Sequence, residues 1–145
     1  MARRLFAVGC WVLIALGLAH LVGHYALVTS EGQDDTHRQL LGLMRGYTRD
    51  MGLGFVRSTF DILTGFSLAF AILPAGMGLV GLAVARHGSS APALLRHAAV
   101  VFAGVFGIMT VVAWRYWFPA PLAFLAAAFA CFLGAVVAGS RRLAR

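Results

Sequence analysis

The chain has 145 residues, 61% of them hydrophobic, with a mean hydropathy of +0.85 and a formal net charge of +7. Soluble domains sit nearer half apolar, and the excess here is gathered into spans that leave no room for a separate soluble domain. All twelve basic residues are Arg; among long apolar stretches they read as topology signals and lipid-headgroup contacts, which excludes nucleic acid as a partner.

The first apolar stretch, residues 5–29, carries no formal charge and exceeds the roughly 20 residues a helix needs to cross a bilayer core. Met1-Ala2-Arg3-Arg4 has the form of a signal-peptide n-region, and Arg3-Arg4-Leu5-Phe6 is faintly similar to a twin-arginine signal. The apolar run continues past His20 without a small-residue cleavage site, so it is expected to remain as an uncleaved first span. Residues 30–54 form a polar connection. Thr36-His37-Arg38-Gln39 has the form of a capping box, with Thr36 as N-cap and Gln39 reaching back. Leu40, Met44, Tyr47 and Met51 then recur at helical spacing with Arg38, Arg45 and Arg49 on the other side, which predicts a short amphipathic helix lying on the membrane surface. Gly52-Leu53-Gly54 is expected to end it as a hinge.

The second span is expected over residues 55–85, with a kink at Pro74, which cannot donate to the Phe70 carbonyl. A tight loop at 86–93 leads to a third span at 94–117. Pro119 and Pro121 mark the next turn, and a fourth span runs over 121–139. Cys10 and Cys131 fall within spans at similar depth, which makes a disulfide framework unlike this chain and free buried thiols the default. Ala103/Gly107, Ala126/Ala130 and Gly134/Ala138 are small-xxx-small pairs suited to close helix packing. The fold class is therefore all-α: a polytopic membrane protein, one four-transmembrane-helix bundle over 1–145 with a short amphipathic interfacial helix between the first two spans.

Orientation follows from the Arg residues. One side collects Arg3, Arg4, Arg86, Arg96, Arg141, Arg142 and Arg145; the other collects Arg38, Arg45, Arg49, Arg57 and Arg115. The positive-inside rule counts basic residues, so both termini are expected in the cytoplasm and 30–54 outside an inner (plasma) membrane. Trp114, Tyr116 and Trp117 then form an aromatic belt at the outer interface. All five acids fall between Glu31 and Asp61, the others being Asp34, Asp35 and Asp50. Four of them mark a solvated outer face.

Asp61 alone enters an apolar helix, at the expected depth of His20 and His24, which share one helix face about 6 Å apart in rise. An ionisable group within a span is a functional candidate by default. Asp61, His20 and His24 are the candidate catalytic or anchoring groups, with Asp61 facing either Arg57 in an i, i+4 ion pair or a cavity. Arg57, Thr64, Ser67 and Thr110 are the candidate ligand-binding residues; the alternative for the three hydroxyls is a bond to their own helix carbonyls. A metal site would use His20, His24 and Asp61 with His37 or Asp35 folding over, but the residues between the two histidines do not form HExxH, and no metal ligand is assigned. Haem would need axial ligands on facing helices, and His97 lies at the opposite depth. Any cofactor is left unknown.

The whole chain resembles small, uncharacterised bacterial four-span membrane proteins, which carry His near the end of the first span. Its Phe60-Asp61-Ile62-Leu63-Thr64-Gly65-Phe66-Ser67-Leu68 stretch is similar to the opening of their second span. That resemblance implies the fold. The topology is also similar to the emopamil-binding and sigma-2 receptor group, with four spans, an outer segment after the first, and carboxylates in a ligand pocket; Asp61 maps onto such a carboxylate. The resemblance implies a lipophilic pocket. The expected function is binding a small lipophilic molecule at an outer-leaflet pocket, or transforming it by acid–base chemistry. The competing readings are a non-catalytic subunit of a homo-oligomer or larger membrane complex, and a metal- or haem-binding redox component.

Overall fold

The computed structural model describes residues 1–29 and 34–143, with side chains through residue 140. Glu31 and Arg145 lie outside the described residues. In chain order the elements are α1 (Ala2–Val28), α2 (Asp35–Gly46), β1 (Thr48–Asp50), β2 (Val56–Ser58), α3 (Thr59–His87), α4 (Pro92–Tyr116) and α5 (Pro119–Leu143). Four helices, α1, α3, α4 and α5, are long and apolar enough to cross a membrane. The chain is an all-α bundle, and its apolar helices match a lipid bilayer environment.

Each span begins earlier or ends later than expected except at the start of α3, where the chain does something different. Residues 48–58 fold back as an antiparallel hairpin that pairs Thr48 with Ser58, Arg49 with Arg57 and Asp50 with Val56. Gly52-Leu53-Gly54 is therefore not a hinge but the hairpin turn. All three residues have positive φ, 89°, 56° and 80°, which the flanking glycines adopt without a Cβ clash. Asp50 steadies the turn by accepting from the Gly52 N–H at 2.8 Å. The capping box expected at Thr36 is also displaced. Asp34 is the N-cap of α2, and its carboxylate accepts from the His37 N–H at 2.7 Å. Tyr47 is the C-cap of α2, and Met51 lies beyond it beside the turn, so the apolar face of the helix is shorter than the periodicity predicts. Leu41 is its buried anchor. α3 runs unbroken through a buried Pro74.

In lipid, helix association rests on close van der Waals packing rather than on the hydrophobic effect. α1 is the central helix: it packs most extensively on α3 and α5, and α4 packs on α5, whereas α3 and α4 touch little despite their short loop. The α1–α3 seam is the closest. Buried Ala71, Pro74, Gly78, Gly81 and Ala85 recur every three or four residues on α3. A Cβ on Gly17 would come within 2.4 Å of the Ala71 carbonyl oxygen, and one on Gly78 within 2.6 Å of that of Cys10. Elsewhere the core is aromatic. Phe6 of α1, Phe102 and Phe106 of α4, and Phe132 of α5 stack with ring centroids 5.0–5.9 Å apart. Gly107 gives room to Phe129, while Ala130 faces outward, so the small-residue pairs of α4 and α5 contribute unevenly. Cys10 and Cys131 are free thiols.

Candidate polar pocket under the surface helix

The tight α1–α3 seam decides what happens next to it. With Gly17 holding the two backbones together, the short side chain of Ser67 on α3 reaches across to α1. Its Oγ lies 3.0 Å from His20 Nε2 and 3.0 Å from His24 Nδ1. A hydroxyl has one proton to donate and lone pairs to accept with. Ser67 can thus donate to one imidazole nitrogen while accepting from the other, or accept from both, so the tautomers of the two rings are linked through one oxygen.

The two histidines differ in surroundings. His20 packs edge-on to Phe70 with centroids 4.8 Å apart, and Phe70 in turn meets Trp117 at 4.6 Å, linking the bridge to the end of α4. His24 is only 9% exposed and lines a cavity of about 170 Å³ between α1, α3 and the underside of α2. Ser67, Thr64 and His37 supply the other polar groups there, among apolar walls such as Leu41, Met44 and Phe60. α2 closes the cavity through buried Leu41, and the Arg45 guanidinium lies 4.8 Å over the Phe60 ring.

Asp61 is not in this cluster. It is the N3 residue of α3 and completes a capping box: its carboxylate accepts from the Ser58 N–H at 2.9 Å, and Ser58 Oγ accepts from the Asp61 N–H at 3.0 Å. Its side chain is exposed and does not line the cavity. The expected Arg57–Asp61 ion pair is also not formed. Arg57 lies on β2, donates to the Val56 carbonyl at 2.8 Å and sits 5.4 Å over the Phe55 ring. The reason is that α3 starts at Thr59, which puts Arg57 in extended backbone and breaks the i, i+4 relation. Thr110 bonds back to the Phe106 carbonyl at 2.7 Å and is apart from the cavity. Thr64 and Ser67 line the cavity; Asp61, Arg57 and Thr110 do not.

No family model, curated protein or solved structure matches this chain.

Among the described residues no three His, Cys, Asp or Glu side chains come together as metal ligands. Asp35, one of the groups expected to fold over the histidines, pairs instead with Arg38. His97 lines a cleft at the other end of the bundle, away from His20 and His24. What sequence reasoning missed is the bridging role of Ser67. The available signal was the three-and-four spacing of small residues on α3, which sets α1 and α3 in register and brings position 67 opposite positions 20 and 24.

Proposed function

We propose that the cavity under α2 binds a small lipophilic molecule drawn from the outer leaflet of a bacterial inner membrane, with both chain termini cytoplasmic. The observation that carries this is the His20–Ser67–His24 bridge, whose Ser67 and His24 line a mainly apolar cavity beneath an amphipathic helix. A few convergent polar groups in an apolar recess are the usual composition of a small-molecule site. His24 and Ser67 are the polar anchors, and Thr64 and His37 the secondary ones. The reading keeps the lipophilic pocket implied by the likeness to the emopamil-binding group but moves its polar anchor from Asp61 to the bridge.

Size limits the ligand. A cavity of about 170 Å³ has the volume of five or six liquid waters at roughly 30 Å³ each, below the 300–1,000 Å³ of ordinary ligand pockets. It accepts a ring or a chain end, and a larger molecule enters only as α2 lifts. Binding is favoured over catalysis, because a Ser–His pair without an orienting carboxylate lacks the third member that activated nucleophiles use. The test is mass spectrometry of small molecules that co-purify from mild detergent. Ser67→Ala and His24→Phe should release a molecule that the parent protein retains. Retention by both variants would sink the reading and leave a subunit role in a larger complex as the better account.

A further inference from the structure

A roomier recess lies at the opposite end of the bundle from the cavity under α2. It is a cleft of about 550 Å³ between the start of α1, the α3–α4 loop, the start of α4 and the end of α5. Its inner wall is apolar, including buried Leu95, Ala99 and Ala135. Its rim carries Arg3 and Arg4 from α1 and Arg96 and His97 from α4.

Three guanidinium groups sharing one cleft repel one another unless an anion lies between them. The protein has no side chain to supply it. Every Asp and Glu in the sequence falls within residues 31–61, and the described ones, Asp34, Asp35, Asp50 and Asp61, lie at the other end. Among the described residues the ion pair is Arg38 with Asp35, also at the other end. The backbone adds to the same field. α1 and α4 begin at this cleft with no side-chain cap and no acid in the first turn, whereas α2 is capped by Asp34 and α3 by a Ser58–Asp61 capping box. Among the described residues no carboxylate side chain lines this cleft to balance its arginines.

The cleft's position says what kind of anion. Arg3, Arg4 and Arg96 sit in the first turns of helices long and apolar enough to cross a membrane, and the guanidinium fork matches phosphate oxygens pairwise. A free phosphate would satisfy the rim but leave the apolar wall wet. A phospholipid fills both. We propose that this cleft binds an anionic phospholipid from the leaflet at the Met1 end, its phosphodiester held by Arg3, Arg4 and Arg96 and its glycerol and proximal acyl carbons against Leu95, Ala99 and Ala135. This site is independent of the cavity under α2.

The test is native mass spectrometry of the full chain in mild detergent with phosphatidylglycerol and phosphatidylcholine of identical chains as probes. The parent protein should retain phosphatidylglycerol in preference to phosphatidylcholine. Arg3→Gln/Arg4→Gln/Arg96→Gln should lower that retention about 10- to 100-fold, given the contribution of each basic residue at an anionic surface. Arg38→Gln/Arg45→Gln/Arg49→Gln removes the same charge from the other end and should leave it unchanged. Ala93→Trp, at an exposed position on the cleft wall, keeps every charge and should also lower retention, which decides the matter if the triple variant does not fold. Equal loss in both triple variants, equal retention of the two lipids, or unchanged retention in Ala93→Trp would overturn the proposal. Displacement of phosphatidylglycerol by inorganic phosphate at about 10 mM would overturn it in favour of a soluble-phosphate site.

Discussion

At the α2 end of the bundle each described carboxylate is engaged within three residues of itself. Asp34 caps α2, Asp35 pairs with Arg38, Asp50 closes the hairpin turn and Asp61 caps α3. At the Met1 end there is no acid among the described residues, and Arg residues from two helices line an open cleft. The difference teaches that charge content alone does not locate chemistry. The end with both signs of charge engages its described acids locally and lines its cavity with histidine and hydroxyl side chains instead. The end with one sign has nothing internal to consume and remains available to an external anion.

That contrast can be broken in four places. The largest effect is expected where the α2 end depends on backbone contact. Gly17→Val places carbon against the Ala71 carbonyl and should destabilise the bundle by about 1–3 kcal/mol, read as a lowered unfolding midpoint in detergent. Gly104→Val, where an added Cβ meets nothing, is the matched control and should leave the midpoint near its parent value. Ser67→Ala removes the shared partner of His20 and His24 and should cost about 1 kcal/mol, the scale of interhelical hydrogen bonds in membranes. The side-chain ¹⁵N resonances of both histidines should move together; a shift of only one would refute the bridge.

Ser58→Ala deletes one half of the α3 capping box and should also cost about 1 kcal/mol, with faster amide exchange confined to the first turn of α3. The smallest effect is expected for Asp61→Asn. An amide oxygen still accepts from the Ser58 N–H, so the fold and any co-purifying small molecule should survive. Loss of that molecule with intact helical content would restore Asp61 to the site and dissolve the contrast between the two ends.

The periodic features were legible from the chain. Four long apolar runs and the amphipathic segment between the first two appear as helices close to their expected positions. The short-range features were not. The hairpin at 48–58 consists of two three-residue strands with exposed Arg and Val, too brief for an alternating pattern to stand out. Its presence shifts the start of α3 to Thr59, and that shift removes Arg57 from helical register with Asp61. A carboxylate three residues after a serine at a helix start reads equally as a cap and as an intramembrane acid until the start is known. Ser67 was legible as a polar residue on the right helix, but nothing local distinguished a bridge from a bond back to the helix, which is what Thr110 makes.

The sequence by itself determined the number of spans, the confinement of every acid to one end, and the pairing of His20 and His24 on one helix face. Apolar run length and the 3.6-residue period are local properties, so they are readable without a partner. Only the tertiary structure decided which groups meet. The close approach of α1 and α3 at Gly17 and Gly78 sets the depth at which Ser67 faces the histidines, and the packing of α1 and α4 on α5 puts Arg3, Arg4 and Arg96 on one cleft. Both follow from packing between helices distant in the chain.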